Sequence, residues 1–174
     1  HFAYTMHETV CMIDTEGKAD AITGKFSDDK EIYLWQQQNY DELVTALDEA
    51  LDVLDAFKSQ EGIVGSVVVD SISLAWDWAQ QKYMEMAYPG REPNEVDFKS
   101  ALQSGDSDWQ SIKRLHNERF RDKMATSDFH LYWTSTSRED YGAILSGSDD
   151  PPAKPTGEKN NVYKSTEVLH FLEG

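Results

Sequence analysis

Gly65-Ser66-Val67-Val68-Val69-Asp70-Ser71 decides how the chain is read. Three consecutive β-branched residues, with no polar residue alternating between them, describe a strand buried on both faces, as in a parallel sheet covered by helices. The run closes on an acid and a hydroxyl. In an open α/β sheet ligands gather beyond the carboxyl ends of the strands, so Asp70 and Ser71 stand at the chemical edge of such a fold. Two readings of Asp70 are open at this point: a magnesium ligand backed by Ser71, or a strand-ending acid that caps the next helix.

The segments around this strand have the same plan. Thr9 to Asp14 is a second short apolar run ending in an acid, followed by Thr15-Glu16-Gly17, and Ile32 to Trp35 is a third. Phe129 to Trp133 makes a fourth, running into Thr134-Ser135-Thr136-Ser137-Arg138, and Val168 to Leu172 a last one. Between them lie helices. Asn39 is a good N-cap with Glu42 three residues on, and Leu43, Ala46, Leu47, Ala50, Leu51, Leu54 and Phe57 form one apolar stripe. Asp41, Asp48, Asp52 and Asp55 fall on the other face, expected to be wet.

Ile72 to Tyr88 has helical spacing and carries Trp76 and Trp78, whose indoles are expected in core or interface packing rather than on a base. Ser107 and Gln110 open another helix, reaching about Thr126, with Trp109, Ile112, Leu115 or His116, Phe120 and Met124 inward. Strands separated by helices imply a mostly parallel, right-handed α/β sheet. The expected organisation is one domain over residues 1–174, with an irregular insertion at about 89–106 and a mobile loop at about 141–157.

Composition narrows the partners. Asp and Glu number 32 against 16 Lys and Arg, a formal net charge of -16, which disfavours a general polyanion-binding surface. Any DNA contact must therefore be local, and the cluster Lys113, Arg114, Arg119, Arg121 and Lys123 is the candidate, against the alternative of a solvated helix face. Cys11 is the single cysteine, so it reads as a buried small hydrophobe. The five histidines are scattered and form no zinc pattern. Ser71 lacks the Gly-x-Ser-x-Gly context of a hydrolase elbow. No basic-then-apolar leader opens the chain and no apolar run approaches a membrane span, so the expectation is a soluble, cytoplasmic protein with no membrane partner.

Asp14 with Glu16, Asp70 with Ser71, and Thr134 through Arg138 would share one crevice if their strands are neighbours. In these residues the chain resembles the RecA-like P-loop ATPases, and most closely the compact nucleotide-binding ATPases of phages and archaeal viruses. The resemblance implies binding and hydrolysis of ATP with Mg2+, in the service of DNA recombination, replication or packaging. It implies that Glu16 polarises the attacking water, that Asp70 helps to hold magnesium, and that Asp14, Ser71 and Ser135 border the nucleotide. Thr134 or Ser135 would sense the γ-phosphate and Arg138 would reach a phosphate, in trans if the protein forms the homo-oligomeric rings usual in the family. Tyr163 before the last apolar strand fits the family's closing segment.

One departure matters. No GxxxxGK followed by Ser or Thr occurs in the sequence, so the loop that grips phosphates is missing. His1-Phe2-Ala3-Tyr4-Thr5 looks like the helix that follows that loop, which suggests a chain cut just after it, with a fragment that binds ATP poorly. The alternative is a non-catalytic α/β binding or assembly module that has lost its P-loop.

Overall fold

A computed structural model describes residues 9–19, 32–92, 95–98, 107–139 and 153–156 of the chain. The strands expected from the apolar runs form: β1 Val10–Asp14, β2 Ile32–Gln36, β3 Ser66–Asp70 and β4 His130–Trp133. They make a four-stranded sheet in the order β2-β1-β3-β4, with every pair parallel. The expected strand over Val168 to Leu172, and the helix at His1 to Thr5, lie outside the described residues.

The valine run is buried on both faces, as its lack of alternation requires. Val67 and Val69 join Cys11 and Ile13 on one face, beneath Leu43, Leu47, Leu54 and Phe120. Val68 joins Val10, Met12 and Ala19 on the other, with Ile32, Leu34 and Tyr132 at its margin. Cys11 is fully buried, which pushes its thiol up to about 12 and leaves it an inert hydrophobe.

Helix α1, Tyr40–Glu61, begins as its capping pattern predicts. The Asn39 side chain accepts the Glu42 amide at 3.0 Å, and Glu42 Oε2 accepts the Gln38 amide at 3.0 Å. It ends on Gly62, whose φ of 70° is the left-handed cap that glycine adopts without a Cβ penalty. Helix α2, Ile72–Ala87, follows β3 directly and buries Ile72, Ala75 and Ala79.

The helix expected from Ser107 to about Thr126 is continuous but not uniform. It comprises α3, Asp108–His116, a π-helical turn, Asn117–Arg121, and α4, Asp122–Ala125. His116, rather than Leu115, takes the fully buried position, and Leu115 packs at the edge of the core. The basic cluster on this rod is largely committed to acids. Lys123 meets Asp48 at 2.6 Å, Arg119 meets Asp41 at 3.3 Å, and Arg121 is buried and bonded to Asp122 at 2.7 Å. Two of the aspartates expected on the wet face of α1 thus face a second helix.

Part of the expected loop at 141–157 is ordered as a strand. Ala153–Pro155 forms β6, antiparallel to β5, Ser137–Glu139, in a separate two-stranded sheet. Proline is compatible with such an edge position. In the expected insertion, the described part turns at Gly90, with φ 78°, and brings Phe98 against Tyr83 and Trp109. Among the described residues no helix is long and apolar enough to cross a membrane.

Gly65, at the entrance to β3, is wedged between its neighbours. Its carbonyl accepts the His130 amide at 3.1 Å, and an added Cβ would lie 2.8 Å from the Thr9 carbonyl and 2.5 Å from Leu54 Cδ2. A backbone carbonyl held in a parallel sheet cannot give way. Gly65→Ala should therefore lower stability by about 1–3 kcal/mol in urea unfolding, whereas Lys123→Ala, at an exposed ion pair, should cost less than about 1 kcal/mol.

Candidate functional site

The parallel register sets Asp14 opposite Asp70, so the loops after β1 and β3 leave the sheet side by side. Thr15 joins them. Its amide donates to the Asp70 carbonyl at 2.7 Å, while its hydroxyl accepts the Ser71 amide at 2.7 Å and donates to the Ser71 carbonyl at 3.1 Å. The Asp70–Ser71 peptide is cis.

The two strand-end acids have different surroundings. Asp14 is buried, and its Oδ1 accepts the amides of Glu16 and Gly17 at 2.9 Å while Oδ2 accepts the Ala19 amide at 2.7 Å. Three backbone donors hold this carboxylate to its own loop, with Gly17 supplying the left-handed turn at φ 68°. Asp70 is half-buried and accepts the hydroxyl of Thr134, the first residue beyond β4. The N-cap of α2 is Ser71, without a side-chain cap bond, so Asp70 does not cap that helix. Thr134 contributes twice more to the edge: its carbonyl accepts the Ile72 amide at 2.9 Å and its amide donates to Val69 at 3.0 Å.

Three strand ends therefore meet, as the sequence predicted, with Glu16, Asp70 and Thr134 on their tips. Glu16 is paired with Lys18 at 2.6 Å, and this contact, first through its hydrogen bond and then through charge, raises the Lys18 ammonium above the ordinary lysine range. Ser71 is 2% exposed and its Oγ has no hydrogen-bond partner among the described residues.

Ser135 and Arg138 take a different path. The Ser135 hydroxyl lies 3.1 Å from Ser73 Oγ and donates to the Thr156 carbonyl at 2.8 Å, and Arg138 belongs to β5 of the small sheet. Ser73, Ser135, Thr136 and Thr156 share a hydroxyl network that pins this small sheet to the start of α2. Nothing local in the sequence marks that network, because Thr156 lies 83 positions from Ser73.

A cleft of about 840 Å3 opens from this edge. Thr15, Glu16, Lys18 and Ser71 line its sheet end, and Trp76, Asp77, Gln80 and Trp109 its helical end. Desolvation holds the Asp77 carboxyl above its usual range, against the opposing hydrogen bond from Gln80. Trp76 and Trp109 stack at 6.5 Å with 22° between their planes. Phe98 meets Trp109 edge-on at 5.2 Å, and His116 meets Trp76 edge-on at 5.5 Å. Lys18, Asp77 and Gln80 were not singled out in the sequence. Lys18 had a signal, standing two residues beyond Glu16, but the other two read as ordinary exposed helix residues.

The oxygen donors at the sheet end suit a hard cation. Magnesium is held by one or two carboxylates together with water and substrate phosphates, so it does not require a full protein cage. Among the described residues no three of His, Cys, Asp and Glu are grouped to form such a cage. Comparison of the chain with protein-family profiles, curated proteins and solved structures finds no match.

Beneath the indoles, His116 is fully buried, and neither ring nitrogen has a hydrogen-bond partner among the described residues. Burial, with the nearby Arg121 charge, lowers it to about 4, while Asp122 acts weakly the other way. The unfolded chain then binds an extra proton between its ordinary value and about 4. Stability from this group is complete at neutral pH and declines as pH falls, by about 2 kcal/mol between pH 7 and 5. In urea titrations across that range, His116→Leu should flatten this acid limb. An equally steep limb in the variant would exclude His116 as its source.

Proposed function

We propose that the carboxyl edge of this sheet is the hydrolytic half of an ATPase site of the RecA-like P-loop type. The observation that supports the reading is the meeting of Glu16, Asp70 and Thr134, from three strands, on one parallel edge, with Asp70 accepting the Thr134 hydroxyl. Asp70 would hold magnesium with water, and the bound ion would neutralise charge on phosphate oxygens. Glu16, once separated from Lys18, would orient and deprotonate the attacking water, and Thr134 would keep Asp70 aimed at the edge. Asp14 acts at one remove, by holding the loop that carries Glu16.

The phosphate-gripping loop that this chemistry needs is not among the 174 residues. The sheet edge alone, with the Asp70 and Glu16 carboxylates and, among the described residues lining the cleft, a single cation in Lys18, would repel a triphosphate. A ring assembly offering Arg138 to a neighbour belongs to the same proposal. So does a DNA contact, which on the basic helix would fall to Lys113 and Arg114, since the other three cations are paired.

The test uses the encoded protein together with whatever residues precede His1 in its gene. If these contain GxxxxGK followed by Ser or Thr, Glu16→Gln should lower kcat by roughly a hundredfold or more with little change in ATP affinity. Asp70→Asn should raise the magnesium concentration needed for half-maximal turnover. Unchanged steady-state hydrolysis in both variants, or an upstream segment without the motif, would favour the non-catalytic α/β module instead.

A further inference from the structure

The helical end of the cleft has a chemistry unlike the sheet end. Two half-buried indoles border it, already stacked and each fixed from behind by an aromatic edge, so their orientation exists before any ligand arrives. One position beyond Trp76 on the same helix is Asp77, which accepts the Gln80 amide on Oδ1 at 3.3 Å. Gln80 also reaches the Trp76 carbonyl at 3.4 Å, which holds the pair against the helix. The second Asp77 oxygen accepts no hydrogen bond among the described residues.

At the other end Glu16 and Lys18 neutralise each other, and among the described residues lining the helical end Asp77 is the one that carries charge. A negative charge beside aromatic faces repels phosphate and attracts an N–H donor on a flat ring. The cleft, about 840 Å3, falls in the size range of small-molecule sites.

We propose that the helical end of this cleft binds a nucleobase, stacked on the Trp76–Trp109 pair and donating its exocyclic amine to Asp77. The inference does not rest on hydrolysis at Glu16, because it concerns the base and needs neither magnesium nor a phosphate-gripping loop. The base belongs either to a free nucleotide or to a single strand, since both present the same ring and amine.

The experiment is equilibrium dialysis and tryptophan fluorescence on the full chain. The probes are adenosine, purine riboside, which is adenosine without its amine, ribose 5-phosphate, which has no base, and a deoxyadenosine oligomer. Adenosine should bind saturably and quench the indoles, and ribose 5-phosphate should do neither. Purine riboside should bind roughly tenfold more weakly than adenosine. Asp77 is exposed, so Asp77→Asn keeps the fold, and it should weaken adenosine roughly tenfold while leaving purine riboside within about twofold. Trp109→Leu should weaken both nucleosides by roughly tenfold or more.

An oligomer that displaces adenosine at far lower base concentration assigns the site to a strand, and equal displacement by both assigns it to free nucleotide; either supports the proposal. Absence of saturable adenosine binding by dialysis would overturn it, as would equal losses of both nucleosides in Asp77→Asn. Adenosine binding that persists when Glu16→Gln leaves ATP turnover unchanged would retain this site while removing the hydrolytic reading.

Discussion

Thr15 is the residue on which the carboxyl edge of the sheet depends. It is 5% exposed, and through its amide and hydroxyl it makes three hydrogen bonds to the Asp70–Ser71 backbone. Parallel strands twist relative to one another, so the loops leaving β1 and β3 would diverge without a tie at their tips. The Thr15 contacts supply it. Asp14 then folds its loop back over three amides, and Glu16 is carried on the loop that leaves the sheet next to the Asp70 strand. A threonine serves here where serine would be looser, because its β-branch restricts χ1 and holds the hydroxyl toward Ser71.

The same local logic explains how much of the fold was readable in one dimension. Val67 to Val69 lacks alternation because both faces of β3 are covered, and Asn39, Glu42 and Gly62 mark the ends of α1 through short-range bonds that sequence spacing alone specifies. Interactions between distant elements left no such trace. Asp41 and Asp48 sit on the polar side of the α1 stripe and read as solvated, yet they receive Arg119 and Lys123 from a helix some 75 positions away. Leu115 and His116 both satisfy the helical period, and only the packing of Trp76, Tyr40 and Phe120 around the imidazole decides between them.

The candidate site divides along the same line. That Asp14, Glu16, Asp70 and Thr134 gather at one edge was legible, because strand order in a parallel sheet brings successive strand ends together. Their separate tasks were not. Asp14 and Asp70 are the same residue type at the same register position, and what distinguishes them is the donor each one meets: backbone amides for one, a side-chain hydroxyl for the other. Likewise, Thr134-Ser135-Thr136 reads as one polar run, but Thr134 turns to Asp70 while Ser135 and Thr136 join Ser73 and Thr156 in holding the small sheet.

Charge links the two ends of the cleft. With a formal net charge of -16, and with Glu16 and Lys18 locked together at the sheet end, the chain offers phosphate no unpaired cation among the described residues lining the cleft. Two like charges about 4 Å apart at an effective dielectric of 20 repel by about 4 kcal/mol, a cost that stacking of one base, about 1–3 kcal/mol, does not offset. A nucleotide meeting these walls would therefore engage by its base, and its phosphates would approach Asp70 and Glu16 only with a cation and a basic loop to accompany them. The Glu16–Lys18 pair has a place in that sequence of events. If phosphate binds at this edge as proposed, it would compete with Glu16 for the Lys18 ammonium, so the ligand that needs the carboxylate free would also be the one that draws its partner away.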